Sequence, residues 1–141
     1  MIAILAAAVL AAQTGPPATG WTWTLYADAA PVVLANEIPD TANLRVTLEC
    51  DPGSSVARVT LYGPVMTGMA RVASGDAVAM AEAEAGRGKS TRLTLRTDHP
   101  AFAAFAADGR MNVLVGDHRR PVEVPAPHLA KLRRFSELCS G

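Results

Sequence analysis

The stretch LRVTLECDPGSSVARVTLY, residues 44–62, decides how the rest of the chain is read. Leu44, Val46, Leu48 and Cys50 alternate with Arg45, Thr47 and Glu49, the period of a strand with one dry and one wet face. Ala57, Val59 and Leu61 repeat the pattern against Arg58, Thr60 and Tyr62. Between the two runs, Pro52 presets one backbone angle and Gly53 tolerates the left-handed region, so the chain reverses as a β-hairpin.

Outward from the hairpin, more short strands follow. Trp21, Trp23 and Leu25 alternate with Thr22, Thr24 and Tyr26, and Pro31 to Ala35 adds a short apolar strand before a loop over 36–43. Met69–Ala73 reads as a strand. Ala77–Ala85 favours helix by propensity, yet Gly75-Asp76 and Gly86-Arg87-Gly88 bracket it as hairpin turns would, and it is assigned as strand. Thr91–Thr97, Arg110–Val115 and Val122–Val124 complete the set. Two helices are expected. One, near 99–107, has Asp98 as its N-cap, Pro100 in its first turn and Gly109 as its stop. The other, over 127–139, sets Leu129, Leu132, Phe135 and Leu138 on one face with Cys139 beside them. The fold class is mainly β (α+β): an antiparallel β-sandwich or partly open barrel of about seven to nine short strands.

The 141 residues suit one domain, and with only 5% aromatic residues its core is built from small side chains. Its two cysteines form neither a C-x-x-C motif nor a zinc-spaced cluster with histidine. Cys50 ends the dry face of the hairpin strand, and Cys139 ends the apolar stripe of the last helix. A Cys50–Cys139 disulfide is therefore expected, closing a loop worth roughly 4.5 kcal/mol on the chain-entropy account.

Compartment follows from the same residues. The apolar run MIAILAAAVLAA, residues 1–12, is too short to span a bilayer and has the length of a cleaved signal peptide, although no basic residue precedes it. Residues 13–20 then form a connector, and 21–141 the domain. The high Ala and Arg usage with little Lys is of the kind found in GC-rich bacterial genomes. Periplasmic or secreted localisation is expected, with no transmembrane span.

Formal net charge is zero, but eight of the thirteen acids and only three of the thirteen bases lie before Ala85. Such an asymmetry can mark an anion-facing surface, although interleaving of the two halves in space would erase it. No nucleic-acid partner is expected.

The motifs carry little chemistry. Gly88-Lys89-Ser90 ends like a phosphate-binding P-loop, but Ala83 stands where the first glycine belongs and a strand follows where a helix is needed. His99, His118 and His128 lack metal spacing, and no serine sits in a nucleophile elbow. No catalytic residue, cofactor or metal is assigned. The candidate partner-binding residues are Trp21, Trp23 and Tyr26, the densest aromatic cluster, and Arg119, Arg120, Arg133 and Arg134. The two tryptophans equally suit a core short of bulk, and the arginines a solvated surface.

The expected role is a small exported, non-enzymatic, disulfide-stapled module, inhibitor- or immunity-like, that binds a protein or envelope component. Two alternatives stand beside it. One is a small periplasmic hydrolase with a site assembled from distant residues. The other is a structural envelope component anchored by an uncleaved N-terminal segment.

Overall fold

The computed structural model describes residues 20–141, so the expected leader over 1–12, and the expected connector over 13–20 apart from Gly20, lie outside the described residues. Nine strands form one antiparallel sheet: β1 (Thr22–Tyr26), β2 (Val32–Glu37), β3 (Leu44–Cys50), β4 (Val56–Tyr62), β5 (Gly68–Ser74), β6 (Ala77–Ala85), β7 (Ser90–Arg96), β8 (Arg110–Val115) and β9 (His118–Glu123). Two helices, α1 (Pro100–Asp108) and α2 (Leu129–Cys139), complete the described fold, with a 3-10 turn at Ala126–His128 leading into α2.

The strand order is β1-β2-β3-β4-β7-β6-β5-β8-β9. The first four strands run as a meander. The chain then crosses to β5, returns through β6 so that β7 lies beside β4, and crosses again through α1 to place β8 against β5. The single sheet curls into a half-barrel. Of the two expected architectures, the partly open barrel is the one formed.

Period-two alternation sets the two faces. Leu34, Leu48, Val59 and Leu93 are cross-strand neighbours in one inner row, each essentially sealed from solvent. Both helices pack against the sheet: α1 on β5, β6 and β8, α2 on β1 and β2. On β6 the inward residues are Ala79, Ala81 and Ala83, small enough to admit Phe102 and Phe105 of α1, which meet edge-to-face at 5.9 Å. Thus the alanine content that favours helix by propensity here lines a strand under an aromatic helix. Each fully buried phenylalanine contributes about 1.5–3 kcal/mol.

Cys50 and Cys139 are joined, their Cα atoms 5.7 Å apart and both side chains buried. Backbone bonds reinforce the junction. The N–H of Gly53 donates to the Leu138 carbonyl at 3.0 Å, and that of Ser55 to the Cys139 carbonyl at 2.7 Å. The hairpin turn thereby satisfies two carbonyls that the end of α2 leaves without intrahelical partners.

Four local expectations are corrected. The N-cap of α1 is His99, whose Nδ1 accepts from the Ala101 N–H at 3.0 Å. Asp98 is instead held by the fork of Arg96. β2 continues through Glu37 into the expected loop, because β1 and β3 flank it with ladder partners on both sides. β9 begins at His118, four residues before the expected strand at Val122, because His118–Pro121 find cross-strand partners along β8. The C-terminal helix begins as the 3-10 turn, α2 proper starting at Leu129. Gly109 stops α1 as expected, in the left-handed region at φ +77°. No helix among the described residues is long and apolar enough to cross a membrane.

Candidate functional site: the cleft between the sheet edges

β1 and β9 are the two edges of the sheet, and its curl brings residues of both to one cleft of about 520 Å³. Its lining includes Trp21 just before β1, Trp23 of β1, Asn36 of β2, Arg45 of β3, and Arg120 and Val122 of β9. Such a gap is where a half-closed barrel has room for a ligand.

Each side chain reaches the cleft for a local reason. In the β2–β3 ladder Asn36 pairs with Val46 and Glu37 with Leu44, so Arg45 is the extra residue of a β-bulge. The bulge breaks the strict alternation, and the Arg45 guanidinium lies over the Trp21 ring, its Cζ 4.1 Å from the ring centroid. Trp23, one inward step along, is buried in the core.

Arg120 belongs to the inner face of β9, paired with buried Val113. Its side chain leaves the sheet edge and donates from Nη1 to the Tyr62 carbonyl at 3.1 Å, at the far end of β4. Burial pushes its guanidinium below the ordinary value. Among the described residues, neither Arg45 nor Arg120 has a carboxylate within ion-pair distance. A guanidinium carries five N–H donors, so one carbonyl leaves Arg120 far from saturated.

Glu123 and His128 also line the cleft. The Nζ of Lys131 lies 3.2 Å from His128 Nδ1 and donates to the Trp23 carbonyl at 2.7 Å. Burial, then the Lys131 charge, hold His128 below its ordinary value of 6.5. His128 is bonded to neither Glu123 nor Thr22, the acid and the hydroxyl of the cleft lining.

The sequence-derived candidates thus divide. Trp21, Trp23 and Arg120 come together. Tyr26 lies on the opposite, outer face, half exposed, with its hydroxyl donating to Glu37, a bond that holds the phenol above its ordinary pKa. Arg119 also faces outward, bonded to Asn112 at 3.0 Å beside exposed Leu114. On α2, Arg133 donates to the Ala107 carbonyl and Arg134 pairs with Glu137. Arg45 and Asn36 were missed by sequence reasoning: Arg45 reads as an ordinary wet-face residue, and a bulge leaves no mark in hydrophobic alternation.

The P-loop-like turn is a hairpin. Gly86 N–H donates to the Ser90 carbonyl at 3.0 Å, Ser90 Oγ to the Arg87 carbonyl at 2.7 Å, and β7 follows directly. With no helix N-terminus there, the backbone donors that hold phosphates are not assembled. Comparison with family models, with curated proteins and with solved structures gives no match.

Proposed function

We propose that this chain is an exported, non-catalytic binding module of the periplasm or extracellular space that engages its partner at the cleft between β1 and β9. The observation that carries the reading is the pair Arg45 and Arg120. Two cations line one cleft, one of them partly desolvated, and among the described residues neither has a carboxylate within ion-pair distance. Desolvating a cation without a counter-charge costs stability, so such an arrangement gains most from a bound partner.

The export half of the reading rests on the Cys50–Cys139 disulfide, which an oxidising compartment sustains, and on the apolar run over residues 1–12. The staple also suits a binder: a rigid scaffold loses less conformational entropy on association.

A photo-crosslinking amino acid placed at position 21, in protein exported by its native host, tests the site. The expected result is a discrete adduct from position 21 and none from position 26, which lies on the outer face at the far end of β1. Equal adducts from both positions, or from neither, would count against the cleft. Intact mass of the envelope-derived protein tests export, with residues 1 to about 12 expected to be missing.

A further inference from the structure

We propose that the outer face of β5, β6, β8 and β9 docks a second copy of this chain, the two faces paired about a twofold axis.

The outer surface changes character halfway across the sheet. From β1 to β7 it is polar, as in the cross-strand row Thr24, Ala35, Thr47, Thr60, Arg92. From β6 through β5 and β8 to β9 a row reads Met80, Arg71, Leu114, Arg119. Met69 lies one outward step from Arg71 on β5, and Val78 one outward step from Met80 on β6. Four of the six exposed large apolar side chains among the described residues thus stand together, with Met69 and Met80 at 59% and 60% exposure. Single exposed apolar residues are ordinary, whereas a contiguous set marks a contact surface. Between Arg71 and Arg119 lies a hollow of about 230 Å³, lined also by Ala73, Asn112 and Leu114. An unbranched methionine side chain is suited to filling such a gap.

Charge selects the occupant. Arg110 stands opposite Glu123 in the β8–β9 ladder, and Arg92 opposite Glu84 in the β6–β7 ladder, so these offset one another. Glu82 remains on the β6 flank, Arg71 on β5 and Arg119 on the β9 flank, with Asp76 and Asp117 in the turns at the two ends. Neither Glu82 nor either arginine is within ion-pair distance of a described partner. A face so nearly neutral holds no strong attraction for an anionic bilayer or for a partner of one sign. Its acid and base lie on opposite flanks of an apolar centre, which suits a copy of itself.

A twofold axis parallel to the strands and running between β5 and β8 lays β6 of each copy over β9 of the other. Met80 then faces the Arg119 end of the hollow, and Leu114 faces Arg71. Glu82 lies about 6.6 Å along β6 from Met80, within reach of Arg119 of the second copy. Each contact occurs twice. Arg119 and Arg120 alternate on β9, so the paired face and the cleft use opposite sides of that strand. Four strands about 4.8 Å apart outline roughly a few hundred Å², less than the ~800 Å² per partner of a standard interface. The curl also makes this face convex, so the dimer is weak, with a Kd on the order of tens of micromolar.

Sedimentation velocity of the oxidised protein exported by its native host, from about 1 μM to about 1 mM, reads the equilibrium. Concentration-dependent dimerisation is expected. Arg119→Glu and Glu82→Arg should each weaken it about tenfold or more, because each sets like charges together at two symmetric places. An equimolar mixture of these two single variants should restore it, and so should both substitutions in one chain. Met80→Ser should weaken it, and Asp28→Arg in the β1–β2 turn should leave it unchanged. All four positions are exposed, and circular dichroism checks that each variant is folded. A chain monomeric across the whole range, a dimer indifferent to Arg119→Glu, or single variants that fail to recombine would overturn the proposal. Flotation of a monomeric chain with vesicles of anionic phospholipid would overturn it too, assigning the face to a lipid surface.

Discussion

The N–H of Ser55 donates to the carbonyl of Cys139 at 2.7 Å, so the turn of the central hairpin serves as the cap of the C-terminal helix. The disulfide one residue before that turn and these backbone bonds act on the same junction. Reduction or Cys139→Ser should therefore cost roughly 2–5 kcal/mol, and thermal unfolding with and without reductant reads it. A melting temperature indifferent to reductant would show that the hydrogen-bonded cap holds α2 in place unaided.

The alanine face of β6 predicts an intolerance to added bulk. Ala81→Leu places extra methylenes on the inner surface against which α1 packs. Overpacking of this kind costs about 1–3 kcal/mol. Denaturant unfolding measures it, and a neutral result would mean that α1 is free to lift from the sheet. Met80→Leu, exposed on the outer face of the same strand, should stay within about 0.5 kcal/mol.

His128 should give stability a pH dependence of known sign. Its folded value lies below the ordinary 6.5, because of burial and then Lys131. Between the two values the unfolded chain binds more protons, so stability rises with pH there. The contribution is complete above about pH 6.5, declines as pH falls through the folded value, and levels off below it. The slope is shallow, since His128 is partly solvated. An NMR titration midpoint under 6.5, moving upward in Lys131→Met, is the expected result.

Lys89→Ala should change stability by no more than about 0.5 kcal/mol and should leave nucleotide affinity where it was. The lysine is exposed in a hairpin turn that lacks the helix a P-loop needs. Saturable ATP binding lost in this variant, measured calorimetrically, would contradict the hairpin reading of the turn.

Much of the architecture was legible in residue order because it depends on neighbours. Alternation in 44–50 and 56–62 marks which side of each strand is dry, and the wet-dry period of 77–85 outweighs its helical propensity once glycine turns bracket it. The same local rule turns Cys50 and Cys139 inward, which made their pairing readable across 89 residues.

The site depends on distances along the fold that no local period encodes. Alternation assigns a face but not a neighbour, so the placement of β7 beside β4 and of β8 beside β5 came only with the tertiary structure. Trp21 and Arg120, 99 residues apart, share a cleft because the sheet curls until its edges approach. Arg45 joins them because one unpaired residue in the β2–β3 ladder turns a wet-face side chain onto an indole. Residue order determined the strands, their dry faces and the staple. Curl and bulge, which arise from strain and packing summed over the whole sheet, decided which charges meet.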